Sequence, residues 1–195
     1  MRARPDLKVL VCAMDISKRI LDFAQTGIYA SSTNGLVGSS IFERLTAQEM
    51  EQIFDLEGDD ARIKPWLREG ITWQLGDASS PELAHVLGPQ DIVVANNFLC
   101  HMEPSAAENC LRNIGGLVDR GGYLFVSGID LEVRTKVARE LGWQPVPELF
   151  EQIHDGDPSV RSDWPLRWCG LEPLNRRRLD WRMRYAAVFQ VNSSN

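Results

Sequence analysis

The chain has 195 residues, of which 44% are apolar and 25% charged, a balance that suits one ordinary globular domain. Its net charge of -6 argues against a general binder of nucleic acid or anionic membrane, since both need a basic surface to displace counterions. The apolar runs are too short to span a bilayer, no secretory segment opens the chain, and the four cysteines show no C-x-x-C spacing, so a cytoplasmic protein with reduced thiols is the default. His85, His101 and His154 lie far apart without metal-ligand spacing.

In "LKVLVCAMDISKRILDFAQTGIY", residues 7–29, an apolar run from Val9 to Met14 stops at Asp15, and Ile20, Leu21 and Phe23 follow at helical spacing. This predicts a buried strand that ends in a carboxylate, then a helix after Ser17. From Gly27 to about Gly58 the chain reads as an insertion, turn-rich in "GIYASSTNGLVGSS" and then helical in "TAQEMEQIF", where Thr46 and Glu49 have capping-box spacing. "ARIKPWLREGITWQL", residues 61–75, holds short β-like pieces that lead to a second strand end at Asp77.

"DIVVAN", residues 91–96, predicts a third strand, closed by Asn96 and Asn97. A helix is expected from Pro104, a tolerated first-turn proline, to about Val118, followed by a turn at "DRGG" and a buried strand "YLFVSG". Asp130 is placed to cap a helix that Gly142 ends. Beyond a passage with Trp143, Trp164, Trp168 and Trp181, read mainly as packing residues, the alternation from Met183 predicts an antiparallel edge strand. The run Arg176, Arg177, Arg178 reads as a solvated loop, and "HDGDPSVRSD", with Asp155 and Asp157, as a turn rather than a calcium loop. Strands alternating with helices predict an α/β fold, mainly a parallel sheet with flanking helices.

In a parallel sheet the carboxyl ends of the strands line one rim, so Asp15, Asp77 and the Asn96–Asn97 pair are expected to border one crevice. Such a set suits a nucleoside: one carboxylate for ribose hydroxyls, another accepting from an exocyclic amine, and amides near the reactive end. Each position taken alone also reads as a helix cap or a turn.

"VLVCAMDISKRILDFAQTGIY", "ARIKPWLREGITWQLGDAS", "DIVVANNFLCHME" and "RGGYLFVSG" resemble, in order, the consecutive motifs of CheR-type methyltransferases over roughly residues 7–130. That family has a Rossmann-like class I methyltransferase fold and uses S-adenosyl-L-methionine to O-methylate glutamate side chains of chemotaxis receptors. The resemblance implies that Asp15 holds the ribose hydroxyls and that Ile16 packs on the adenine. Asp77 stands where the family usually has an asparagine facing the adenine amine, with the backbone of Ala78 beside it. Asn96 replaces the usual arginine, Asn97 keeps the family's asparagine, Phe98 walls the cofactor pocket, and His101 stands where the family has a tyrosine close to the transferred methyl. About residues 30–72 correspond to the family's inserted subdomain, which grips a receptor or receptor-tail peptide, within a single methyltransferase-like domain whose region 143–195 is divergent. The implied partner is a protein bearing glutamate side chains, such as a chemoreceptor, and neither nucleic acid nor membrane insertion is implied.

A glutamate carboxylate attacking a sulfonium methyl is already ionised near neutral pH, so no general base is required and in-line positioning carries the reaction. His101 either orients the acceptor, serves as a base for a different acceptor, or makes one structural hydrogen bond at a helix entrance. In the family a glycine-rich loop after the first, central strand cradles the methionine end of the cofactor, and "MRARPD" does not supply that strand and loop. The expectation is therefore either the C-terminal part of a longer enzyme or a methyltransferase-like remnant that binds partners or a nucleoside without catalysis. A nicotinamide dinucleotide is a further reading of the same crevice, with no G-x-G-x-x-G to support it.

Overall fold

In the computed structural model, which describes residues 6–30, 42, 45–148, 150, 153 and 172–192, the chain divides into two compact units, Met1–Gly76 and Asp77–Asn195. The first contains β1 (Val11–Asp15), α1 (Lys18–Thr26), β2 (Ile28–Ala30), α2 (Ala47–Ile53), β3 (Phe54–Glu57), β4 (Asp60–Ile63), α3 (Pro65–Arg68) and β5 (Ile71–Leu75). Strand β1 pairs in parallel with β5, Asp15 lying opposite Leu75. Ser17 caps α1 by accepting from the Ile20 amide, and Gly27, at φ 63°, ends it in the left-handed conformation that glycine adopts without a Cβ clash. Between these strands, β2, β4 and β3 form an antiparallel sheet in that order. Edge-to-face contacts of Tyr29 with Phe23 (5.5 Å) and Phe54 (6.4 Å), and of Phe54 with Phe42 (5.3 Å), pack aromatic rings on it, and Ala61 of β4 is buried. Thr46 and Glu49 form the expected capping box at the start of α2.

The second unit contains α4 (Leu83–Leu87), β6 (Gln90–Asn96), a 3-10 turn (Leu99–His101), α5 (Pro104–Gly115), β7 (Val118–Ser127), α6 (Leu131–Glu140), β8 (Gln144–Pro145), α7 (Trp181–Tyr185) and β9 (Val188–Gln190). Its sheet runs β6-β7-β9-β8, with β6 and β7 parallel and β9 antiparallel to both of its neighbours. Alternation along the strands sends Ala95, Leu124, Val126 and Phe189 into one core with Cys110, Leu111 and Ile114 of α5, Val137 and Ala138 of α6, and Trp143. On the other face Ile92 and Val94 remain 58% and 68% exposed. Asp130 caps α6 by accepting from the amides of Glu132 and Val133, and Gly142 follows that helix at φ 66°.

The fold class is the mixed α/β one expected from the alternation, Rossmann-like as the resemblance implies, and four local expectations are corrected. The first strand begins at Val11 and is not buried: Val9 and Leu10 before it are 69% and 70% exposed, and Val11 is exposed too. An apolar run marks a strand that needs cover on both faces, whereas among the described residues β1 pairs with β5 alone and Leu21 is the one residue of α1 that is itself buried. Helix α5 ends at Gly115 rather than Val118. "DRGG" belongs to β7 as a bulge: Gln90 lies opposite Val118 but Ile92 opposite Tyr123, while Gly121 and Gly122 stay hydrogen-bonded to Val191. Met183 lies in α7, where the Arg184 amide bonds to the Asp180 carbonyl in helical fashion, and the closing strand β9 is internal because β8 pairs on its far side.

Trp143 is buried, as read from the sequence, and Trp181 packs partly buried against Phe150 under Arg176 and Arg182. Of the arginine run, Arg178 pairs with Asp180 at 2.8 Å and Arg176 lies over the Trp181 ring at 5.9 Å. Cys12, Cys100 and Cys110 are free thiols. Trp164, Trp168, Cys169, His154, Asp155, Asp157 and most of the turn-rich segment 31–44 lie outside the described residues.

Charge inside the second unit is concentrated at one cluster. Arg134 is buried and donates to the carbonyls of Val126 (3.4 Å) and Arg184 (2.7 Å). Burial and the neighbouring Arg184 pull its pKa down to about 10, so it stays charged at neutral pH. Arg184 in turn donates to Glu132 (2.7 Å) and to both oxygens of Glu172 (2.7 and 3.0 Å). With a further bond from the Tyr185 hydroxyl, these donors hold the Glu172 pKa at about 2 against an ordinary 4.5.

The packing at Trp143 and the pairing of Glu172 can each be tested by substitution. A Cβ on Gly115 would stand 3.1 Å from Cη2 of the Trp143 indole and closer still to its Cζ2. Overpacking of this kind costs about 1–3 kcal/mol, more than the roughly 1 kcal/mol of helix propensity that alanine gains over glycine. Gly115→Ala is therefore expected to lower the urea midpoint, and a raised midpoint would refute the close packing. Because the folded Glu172 pKa lies below the unfolded one, its stabilisation is complete above about pH 4.5 and is lost as pH falls toward 2. Glu172→Gln is expected to cost about 2 kcal/mol at neutral pH and to flatten the acid limb of stability against pH, whereas parallel limbs for the two proteins would assign the titration elsewhere.

Candidate functional site

The polar residues expected at the strand ends are distributed over both units. In the first, Asp15 is the last residue of β1, half-buried, and one carboxylate oxygen accepts the Ser17 amide at 2.7 Å. That bond fixes the side chain at the mouth of α1, and a carboxylate keeps further lone pairs for hydroxyl donors after one such bond. The helix-entrance role and a ribose-binding role are thus compatible at this residue. Ile16, next in the chain, is 70% exposed.

In the second unit Asp77 opens a turn. Its Oδ1 accepts from the Ser79 hydroxyl (2.7 Å) and the Ser79 amide (2.8 Å), and these bonds hold its carboxyl below the usual range. The Asn113 side chain of α5 donates to the Ser79 carbonyl at 2.7 Å, which ties the turn to the helix. Ala78 packs against the core of this unit. Burial, with the Asp77 charge added, pushes the Cys110 thiol up to about 11, so this cysteine is an inert core residue at neutral pH.

Asn96, Asn97, Phe98 and His101 are brought together on a single turn. Asn96 ends β6 directly opposite Ser127 of β7, whose hydroxyl donates to its side-chain carbonyl. Asn97 has φ 56°, the one positive φ outside glycine among the described residues, and asparagine tolerates this region better than most side chains. Phe98 is half-buried against the core and Leu99 fully buried, which pins the turn from below. His101 closes the 3-10 turn, its amide donating to the Phe98 carbonyl at 3.2 Å, with its side chain exposed three residues before α5 begins.

Sequence reasoning passed over the partner of this turn, Gly128. The only signal available was a glycine directly after an apolar strand, which marks a possible close approach of backbone. Among the described residues no group of three or more His, Cys, Asp or Glu side chains could hold a metal ion, and no helix is long and apolar enough to cross a membrane.

The donor and acceptor set fits the nucleoside part of S-adenosylmethionine. Taken unit by unit, Asp15 with Ile16 and Asp77 with Phe98 each provide a carboxylate acceptor and an apolar side chain, the kinds of group a nucleoside takes. Among known proteins, the chain is 27% identical over 133 residues to the uncharacterized 104.1 kDa protein in the hypE 3' region of Rhodobacter capsulatus. That alignment covers 68% of this chain but 12% of the relative's length. The family model described as CheR methyltransferase, SAM binding domain, matches residues 1–137, a span that includes Asp15, Ile16, Asp77, Ala78, Asn96, Asn97, Phe98 and His101. The chain therefore belongs to the CheR methyltransferase family, in its S-adenosylmethionine-binding domain.

Proposed function

We propose that the chain provides the cofactor-binding part of a methyltransferase that O-methylates glutamate carboxylates of a protein in chemotaxis-type signalling. The observation that carries this reading is the family match across residues 1–137, within which every candidate residue falls. When bound, S-adenosylmethionine supplies an electrophilic methyl group on a sulfonium. Asp15 holds the ribose hydroxyls and Ile16 covers the adenine. Asp77, kept ionised by Ser79, accepts from the adenine amine, with the Ala78 backbone alongside. Asn97 and Phe98 shape the wall near the reacting end, and His101 orients the acceptor. A glutamate acceptor needs no deprotonation at neutral pH, so these residues act by placement and by excluding water. The antiparallel sheet of β2, β4 and β3 is the candidate contact for the protein substrate. The reading of a non-catalytic module that binds a nucleoside or a partner is separated from this one by whether bound cofactor is turned over.

The first test is isothermal titration of the chain with S-adenosylhomocysteine, compared with Asp15→Ala. Micromolar binding, weakened about 100-fold by loss of the hydroxyl acceptor, is expected. A folded wild-type chain that binds nothing would refute the cofactor reading. His101→Phe is expected to keep that affinity while lowering methyl transfer to a glutamate-bearing receptor peptide by about tenfold. Unchanged turnover would remove His101 from the chemistry.

A further inference from the structure

We infer that Gly128 is the positioning residue for the turn that carries Asn97, Phe98 and His101, and that its missing side chain is the space in which Asn97 sits. This rests on the cofactor reading above only for its consequence on binding; the packing itself is independent of it. A Cβ built on Gly128 would stand 2.6 Å from Asn97 Cα and 3.0 Å from Asn97 N, and closer still to Asn97 Oδ1. Two of these three atoms are backbone, so the overlap cannot be relieved by turning a flexible side chain.

The two residues are matched in conformation, Gly128 at φ 63° and Asn97 at φ 56°. They are also matched in hydrogen bonding. The Asn97 amide donates to the Ser127 carbonyl at 3.2 Å, and the Cys100 amide donates to the Gly128 carbonyl at 2.8 Å. The turn from Asn97 to His101 therefore rests on residues 127 and 128 at both of its ends. Leu99 below it is buried, so the turn has no room to retreat inward. A side chain at position 128 would push Asn97 outward and carry Phe98 and His101 with it.

Gly142 provides the control. It has φ 66°, and a Cβ added there would meet nothing within 4 Å, so Gly142→Ala introduces left-handed backbone strain without steric overlap. Both alanine variants are expected to lose stability to urea. Only Gly128→Ala is expected to move the amide resonances of residues 97–101 and to weaken S-adenosylhomocysteine binding, by about tenfold. Equal affinities for the two variants, or unmoved resonances at 97–101 in Gly128→Ala, would overturn the inference. Should Gly128→Ala fail to fold, titration of the wild type decides: the Gly128 and Cys100 amides must shift together with those of Asn97 and Phe98 on addition of S-adenosylhomocysteine, and their remaining still while those shift would overturn it. If the wild type binds no S-adenosylhomocysteine, the cofactor reading fails, while the resonances of folded Gly128→Ala still test the positioning role.

Discussion

The parallel register of β6 and β7 is the constraint on which the second unit depends. With Ala95 opposite Val126 and Asn96 opposite Ser127, one face of the pair is apolar and joins α5 and α6, and the strand ends finish level with one another. A slip of one residue would move Ala95, Leu124 and Val126 to the outer face and expose the core. The same register delivers Asn97 to Gly128, so core packing and the geometry of the candidate site are set by one ladder of hydrogen bonds. This is the physical reason that strand ends make dependable sites: a side chain just beyond the last ladder bond inherits the position of a buried sheet.

The closing of the chain onto that sheet is governed by charge. Burying two arginines is costly unless each is paired, because desolvation disfavours an isolated cation by several kcal/mol. Arg134 is satisfied mainly by the carbonyls of Val126 and Arg184, and Arg184 by Glu132 and Glu172. Those partners come from β7, α6, α7 and the segment just before α7, so the cluster fixes how α7 and the strand after it meet α6. The Nε of Arg134 is the one buried side-chain polar atom without a partner among the described residues.

The candidate site uses acidity differently. Asp77 owes its depressed pKa to the hydroxyl and amide of Ser79, a local turn. Local bonds of this type fix a carboxylate in its ionised, accepting form without a buried cation nearby. A carboxylate held in that form accepts from hydroxyl and amino donors.

Much of this was legible along the chain. Thr46 with Glu49, Ser17 with Gly27, and Asp130 with Gly142 are local chemistry, and each element begins or ends where those residues direct because capping involves atoms only a few residues apart. The four consecutive motifs likewise identified the family, and Asp15 and Asn96 close β1 and β6 as read, whereas β5 ends at Leu75 and Asp77 falls in the turn after it. The bulge at "DRGG", the helix at Trp181–Tyr185 and the internal position of β9 were not legible, since each depends on a partner far away in sequence: Val191 for the glycines, Glu132 and Glu172 for Arg184, β8 for β9. The sequence by itself determined the helix caps and the polar residue types at or just beyond the strand ends, because residue type and strand-end spacing are local properties. Only the tertiary structure decided that Asn97 takes a left-handed backbone against Gly128, because that contact exists only after two strands distant in sequence have paired.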